Sequence, residues 1–269
     1  MNFRIALVMI ALVTPLLASC ASMQKNASDE APEIAPETLY TTAADLLDAK
    51  KFKPAAEAFD EVERQHPYSV WATRAQLMAA YAHYEALDYD DAVLALNRFL
   101  QLHPGHEDAE YARYLQALCY YEQISDIHRD QEMTRKALDA LHDVIRRAPD
   151  SEYAKDAAIK IDLTNDHLAG KEMSVGRWYQ RRAHYQAAIE RFRNVLIAFE
   201  TTSHASESLY RLTECYLALG LTGEAQKTAA VLGHNYPGSD WYEDAYKLVG
   251  GEEQGEEPVE EDNKSWWPF

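Results

Sequence analysis

The chain has 269 residues, with 44 acidic against 26 basic side chains and a formal charge of −18. Such a surface offers little to neutralise a phosphate backbone, which argues against nucleic acid as a partner. Glycine and proline number only 10 each and runs of alternating apolar and polar residues are absent, so the expected fold is all-α, with ample length for a buried core.

Residues 1–19 read as a lipoprotein signal peptide. Arg4 supplies the positive start, and residues 5–17 form an apolar stretch too short to span a bilayer. Leu17-Ala18-Ser19-Cys20 resembles a bacterial lipobox, which makes Cys20 the expected lipidation site and the first mature residue. The alternative is an ordinary signal peptide with a chance cysteine; the place of Cys20 at the end of the apolar run favours lipidation. Ala21 follows where an aspartate would signal retention, so resemblance to Gram-negative lipoproteins implies the outer membrane. Several acyl chains, palmitate among them, at about 0.8 kcal/mol per buried methylene, hold such a protein stably. Residues 20–36 are then the lipidated N-terminus and a polar tether, with a reach on the order of 20–25 Å as a flexible coil.

A pattern recurs through the body of the chain: Ala, a large apolar residue four later, an apolar residue three beyond it, and proline after five more. It appears as Ala55, Phe59, Val62, Pro67, then as Ala92, Leu96, Phe99, Pro104, and again as Ala137, Leu141, Val144, Pro149. The fourth copy is Ala188, Phe192, Val195, with Glu200 in place of proline, and the fifth is Ala225, Ala229, Leu232, Pro237. The three markers fall on one helical face, and the proline ends the helix by pushing the preceding residue out of the α region. This is the second half of a tetratricopeptide repeat, a helix–turn–helix unit of about 34 residues. The first half is clearest in the fifth copy, where Leu209, Leu212, Tyr216 and Gly220 lie 16, 13, 9 and 5 residues before Ala225. The expected fold is therefore an all-α tetratricopeptide-repeat solenoid of five helix–turn–helix repeats over residues 37–250, with an N-terminal half of about 37–150 and a C-terminal half of about 151–250. Such stacks build binding surfaces and rarely catalytic pockets.

The steps between marker alanines are 37 (55→92), 45 (92→137), 51 (137→188) and 37 (188→225). The 45-residue step implies an insertion over residues 123–133, between the two helices of repeat 3. Arg129, Asp130 and Gln131 lie in it and are candidates for a partner contact, since an insertion outside the stack has no core to fill; the alternative is a set of contacts that orders the loop itself. The 51-residue step is 14 longer than the 37-residue steps, close to four helical turns. That predicts one long first helix in repeat 4, about 151–182, with Gly170 and Gly176 as places for a bend. Cys119 and Cys215 are expected as small buried apolar residues two repeats apart, too distant for a disulfide. Residues 251–269 hold seven acids, only Lys264 as a base, and an aromatic end of Trp266, Trp267 and Phe269. This segment is expected to be disordered, with its aromatics either docking on a partner, on the chain itself or at a lipid interface, or forming no more than a loosely packed terminus.

No catalytic or metal-binding constellation emerges. His103-Pro104-Gly105-His106 lacks ligand spacing and carboxylate or cysteine partners, and no phosphate loop, nucleophile elbow or HExxH occurs. The chain reads as a non-enzyme, without cofactor or metal beyond the lipid on Cys20.

The sequence resembles the BamD/ComL family of outer-membrane assembly lipoproteins. The resemblance is carried by Arg64-Gln65-His66-Pro67-Tyr68-Ser69, by Ala75-Gln76-Leu77 with Ala80-Tyr81-Ala82-His83-Tyr84, and by Asn97-Arg98-Phe99-Leu100-Gln101-Leu102-His103-Pro104. His128-Arg129-Asp130-Gln131 and Met173-Ser174-Val175 extend it, together with the lipobox and both long steps. It implies a scaffold and receptor of the machinery that inserts β-barrel proteins into the outer membrane, anchored by lipid on the periplasmic side. The implied partners are the POTRA region of BamA, other lipoproteins of the machine and unfolded barrel proteins. By this match Arg182, Arg191 and Arg193 face BamA, unless they form a solvated face paired with local acids such as Glu190. Tyr81, Tyr84 and Arg98 would supply an aromatic groove with one cation for barrel substrates, unless the tyrosines are repeat core. The alternative function is another repeat-bearing envelope lipoprotein, of pilotin type or an organiser of cell-wall enzymes.

Overall fold

A computed structural model describes residues 34–250, which form eleven α-helices and no strand among the described residues. The signal peptide, Cys20, the tether up to residue 33 and the acidic segment from 251 lie outside the described residues. The helices are α1 (Pro36–Asp48), α2 (Phe52–Gln65), α3 (Val70–Glu85), α4 (Tyr89–Leu102), α5 (Ala109–Tyr121) and α6 (Glu132–Arg147). They continue as α7 (Glu152–Arg181), α8 (Tyr185–Ala198), α9 (His204–Ala218), α10 (Thr222–Asn235) and α11 (Asp240–Leu248). Five helix pairs match the five marker copies, each copy lying on the second helix of its pair, and α11 follows the fifth.

The chain divides into two compact units, Met1–Ala75 and Gln76–Phe269, so the division falls within α3 rather than near residue 150. In the first unit, α1 and α2 pack together over Ala43, Ala55, Ala56, Phe59 and Val62, all fully buried. Tyr40 sits between Phe59 and Trp71, with ring centroids 5.3 and 5.0 Å away.

In the second unit each helix from α4 onward packs on the next. The backbones of α5 and α7, α7 and α9, and α9 and α11 also approach closely, whereas those of the second helices α6, α8 and α10 do not approach one another as closely. The first helices therefore form the tighter row. The three helical marker positions of all five copies are buried, whereas the prolines and Glu200 that follow them are exposed. Phe59 and Phe192 fill equivalent places and Phe99 takes the third marker place of its copy; each is fully buried and contributes roughly 1.5–3 kcal/mol. Cys119 and Cys215 are fully buried free thiols, and burial pushes both up to about 12.

The turns repeat as faithfully as the core. Lys50, Leu87 and Ala183 have φ of 56°, 61° and 58°, and Gly220 has φ of 73°. Each stands five residues before its marker alanine. At each, the next residue's N–H reaches a carbonyl five residues back, as in Asp88 N to His83 O (2.9 Å) and His184 N to Tyr179 O (3.0 Å). These paired bonds are the Schellman closure of a helix end. Only the fifth copy uses glycine for it. Repeat 3 has no such turn, because the insertion takes its place.

The second helices also end alike. Their C-cap residues His66, His103, Ala148 and Tyr236 have φ between −137° and −129° and ψ between 56° and 64°. Phe199, followed by Glu200, has φ −139° and ψ 38°. The marker proline thus selects a conformation that packing also imposes without it.

The long helix is α7, 30 residues, capped by Ser151, whose hydroxyl accepts the N–H of Ala154 at 3.1 Å. Its glycines serve close approach. A Cβ on Gly176 would lie 2.5–2.9 Å from the buried Phe192 ring, and one on Gly170 would meet His204 at 3.2 Å.

Candidate functional site

Three sets of expected contact residues lie in the second unit. The first is at the end of α7 and on α8. Arg191 projects from α8 to Glu172 on α7, with its guanidinium 3.3 and 3.2 Å from the two carboxylate oxygens. Its side chain remains 41% exposed, so the pairing leaves donors free for a second carboxylate. Glu190, expected as a local partner of these arginines, lies 3.8 Å from Arg193 in an open surface pair worth little. Arg182 caps α7 with its guanidinium 3.9 Å above the Trp178 ring, a cation–π arrangement.

Behind these arginines α7 is locked to α9. Arg177 binds both oxygens of Glu207 at 3.0 and 2.9 Å, and Arg211 bridges Glu207 (3.2 Å) to Glu214 (2.8 Å). Gln180 donates to Glu214 at 2.9 Å. Burial alone would lower the pKa of Arg211, but the carboxylates of Glu214 and Glu207 outweigh it and raise it. On the neighbouring pair, the buried Ser208 hydroxyl donates to the Phe192 carbonyl at 2.6 Å, tying α9 to α8. The arginines of this surface therefore stand on a rigid base.

The second set is on α3 and α4. Tyr81 and Tyr84 are neither free groove residues nor fully enclosed: each is half-buried and packs against the cluster of Leu77, Ala80, Leu96, Phe99, Leu115 and Cys119. Tyr84 meets Tyr89 at 5.7 Å. Burial, then the nearby Glu122 carboxylate, pushes the Tyr84 phenol up to about 12. Burial also raises Tyr81, whose hydroxyl is hydrogen-bonded to Glu85. The two lie one turn apart, so their uncovered edges share one side of α3. Arg98 is exposed on α4.

The third set, in the insertion, separates by residue. Gln131 is only 3% exposed. Its amide donates to the carbonyls of Asp126 (3.3 Å) and Arg129 (3.1 Å), and its oxygen accepts from Thr134 (3.0 Å) and lies 3.2 Å from His167 Nδ1 on α7. A side chain so enclosed orders the loop and is not a partner contact, which corrects its expected role. Asp130 accepts the N–H of Glu132 at 2.8 Å and starts α6, two residues inside the expected insertion. Arg129 is exposed, while its carbonyl and that of His128 receive Lys171 Nζ from α7 at 3.3 Å.

His103 and His106 both pack beside the core of the second helix pair. His103 lies 3.1 Å from the Gln76 amide oxygen, and His106 takes the N–H of Asp108 at 3.1 Å; both rings pack on Phe99 at 5.4 Å.

Sequence reasoning missed Glu172, Trp178 and Lys171. Each lies on α7 at helical spacing from named residues, but only the packing of the insertion and α8 shows which way they face.

Stacked helical hairpins with surface arginines on a fixed base define a repeat scaffold. The family described as outer membrane lipoprotein (YfiO) matches residues 32–232. The chain is 50% identical to the outer membrane protein assembly factor BamD of Caulobacter vibrioides, over 88% of this chain and 78% of that one. It is 48% identical to BamD of Rickettsia prowazekii over 91% and 95% of the two chains, and 31% identical to BamD of Neisseria meningitidis serogroup A over 87% and 86%. Among solved structures, the TPR2AB domain of yeast Sti1 aligns at 11% identity with a TM-score of 0.42, over 80% of this chain and 84% of that one; a likeness that loose carries no inference. The chain belongs to the BamD (YfiO) family. It is an outer-membrane protein assembly factor, a scaffold and not an enzyme, associated with the outer membrane.

Proposed function

We propose that the chain works as a receptor within the β-barrel assembly machinery, joining the POTRA region of BamA to unfolded barrel substrates. The observation that carries the BamA side is Arg191: exposed on one flank, braced by Glu172 on the other, on helices fixed by the Arg177–Glu207–Arg211 network. An arginine held in place loses little entropy when it forms a bidentate pair with an incoming carboxylate. Arg182 and Arg193 add positive charge nearby and steer an acidic partner. Tyr81 and Tyr84 on α3, with Arg98 on the paired α4, would form the substrate side, since half-buried tyrosine edges and a cation suit an aromatic-bearing segment. A lipid on Cys20 and the tether after it would hold the scaffold to the periplasmic face of the membrane.

The test is Arg191→Glu with the purified POTRA region of BamA. The variant should bind 10- to 100-fold more weakly, about 1.4–2.7 kcal/mol, with unchanged helicity. Unchanged affinity would remove Arg191 from the interface. For the substrate side, Tyr84→Phe keeps the packing and Tyr84→Ala loses it; crosslinking to a barrel-derived peptide should survive the first and fall with the second.

A further inference from the structure

Several basic side chains on and around the long helix are paired with a carboxylate: Arg177 with Glu207, Arg191 with Glu172, Arg193 with Glu190, Lys160 with Asp156, Lys136 with Glu132. Near the C-terminal end of α7 the pattern breaks. Lys171 reaches only backbone carbonyls, Arg182 only the Trp178 ring, and Arg181 is exposed, with no carboxylate partner for any of the three among the described residues. Between them lies a cleft of about 380 Å³, lined by His128, Lys171, Ser174, Val175, Trp178 and Arg181. Trp178 is 43% exposed, and its ring stands edge-on to Tyr179 at 5.0 Å. The cleft is thus a cationic rim around an aromatic shelf.

We infer that this cleft is the docking site of the chain's own acidic–aromatic segment, residues 252–269. The chemistry of the two is complementary. The segment carries Glu252, Glu253, Glu256, Glu257, Glu260, Glu261 and Asp262 against Lys264 alone, followed by Trp266, Trp267 and Phe269. Carboxylates meet the guanidinium edges of Arg181 and Arg182 and the Lys171 ammonium, and aromatic rings stack on Trp178. The rest of the acidic surface repels the segment, which singles out the one carboxylate-free cluster of cations on α7. The reach is sufficient: α11 packs on α9 and α9 on α7, two interhelical spacings of about 8–10 Å each, against an extended length of roughly 50 Å for the fifteen or so residues between Gly251 and Trp266. Tethering raises the local concentration to the order of millimolar, so contacts too weak for a free peptide hold the segment in place.

The experiment uses the full-length chain in detergent with a photoreactive benzoylphenylalanine in place of Phe269. Irradiation should give crosslinks within the same molecule, concentrated on peptides containing residues 128–131 and 171–182. Arg181→Glu should lower their yield at least five-fold, as should raising the salt to about 0.5 M, where screening shortens to a few ångströms. Restoring the yield of Arg181→Glu with Glu256→Lys and Glu257→Lys would confirm that charge sets the docking. Trp178→Ala, at a partly exposed position, provides a second variant that leaves the charge intact and should also lower the yield. Crosslinks scattered over other helices, found only on detergent or on a second copy, or unmoved by Arg181→Glu would overturn the inference. None of these outcomes depends on BamA binding.

Discussion

Three turns of this protein place a side chain where glycine is favoured. Lys50, Leu87 and Ala183 all have φ near 60° and all end the first helix of a pair, as Gly220 does. A left-handed residue with a Cβ costs roughly 1–2 kcal/mol, while glycine gives back roughly 0.5–1 kcal/mol through greater freedom in the unfolded chain. Replacing each by glycine should therefore stabilise by about 0.5–1 kcal/mol. Little packing is lost in exchange: Leu87 is 69% exposed, and Lys50 and Ala183 are exposed as well. The sites lie on different repeats, so the gains should add. The triple variant Lys50→Gly, Leu87→Gly, Ala183→Gly should gain about 2 kcal/mol, a rise in Tm of about 4–8 °C for a chain of this size. Gly220→Ala should shift it the opposite way by about 1 kcal/mol. Circular dichroism melts of the parent, the triple variant and Gly220→Ala provide the measurement. A triple variant that melts at or below the parent temperature would refute the reasoning, because the left-handed turns would then carry no strain that glycine relieves.

Gly176→Leu should cost at least 2–3 kcal/mol by forcing apart α7 and α8 at Phe192, read as a lower denaturant midpoint; Gly223→Ala, with open space around its Cβ, is the control. Glu200→Pro should be accepted with stability within about 0.5 kcal/mol of the parent, since the Phe199 cap (φ −139°, ψ 38°) already lies outside the α region and near those before the four marker prolines; a large loss in a thermal melt would show that the fourth turn differs. The thiols of Cys119 and Cys215 should resist a thiol reagent until the chain unfolds, since both are buried. Their folded values of about 12 exceed the ordinary value of 9.0. The native state therefore retains protons that the unfolded chain gives up, and this contribution is complete below pH 9 and lost as pH climbs toward 12. A denaturant midpoint that rises between pH 9 and 10.5 would contradict the sign.

The repeat markers were legible because one physical demand recurs in them. Ala55, Ala92, Ala137, Ala188 and Ala225 must be small where two helices meet, and the residues four and seven later must fill the gap to the next helix. The length of α7 was legible for the same reason, since an extra run close to four turns keeps a helix face in phase. The turns were less so: Gly220 announces a left-handed residue, but Lys50, Leu87 and Ala183 reach the same conformation with no local signal, because packing of the flanking helices overrides their preference. Gln131 shows the limit most plainly. A polar residue in an insertion reads as a surface contact, yet four backbone and side-chain partners from the loop, α6 and α7 enclose it. Sequence periodicity reports which residues a helix must bury, whereas a loop buries whatever closes its own hydrogen bonds. Arg191 illustrates the same division within a helix. Its place on α8 follows from the register of Ala188 and Phe192, but its brace is Glu172, nineteen residues earlier in the chain, and not the neighbouring Glu190. What makes the arginine suited to a second carboxylate is thus a contact between helices, set by the glycine at 176 that lets α7 and α8 approach.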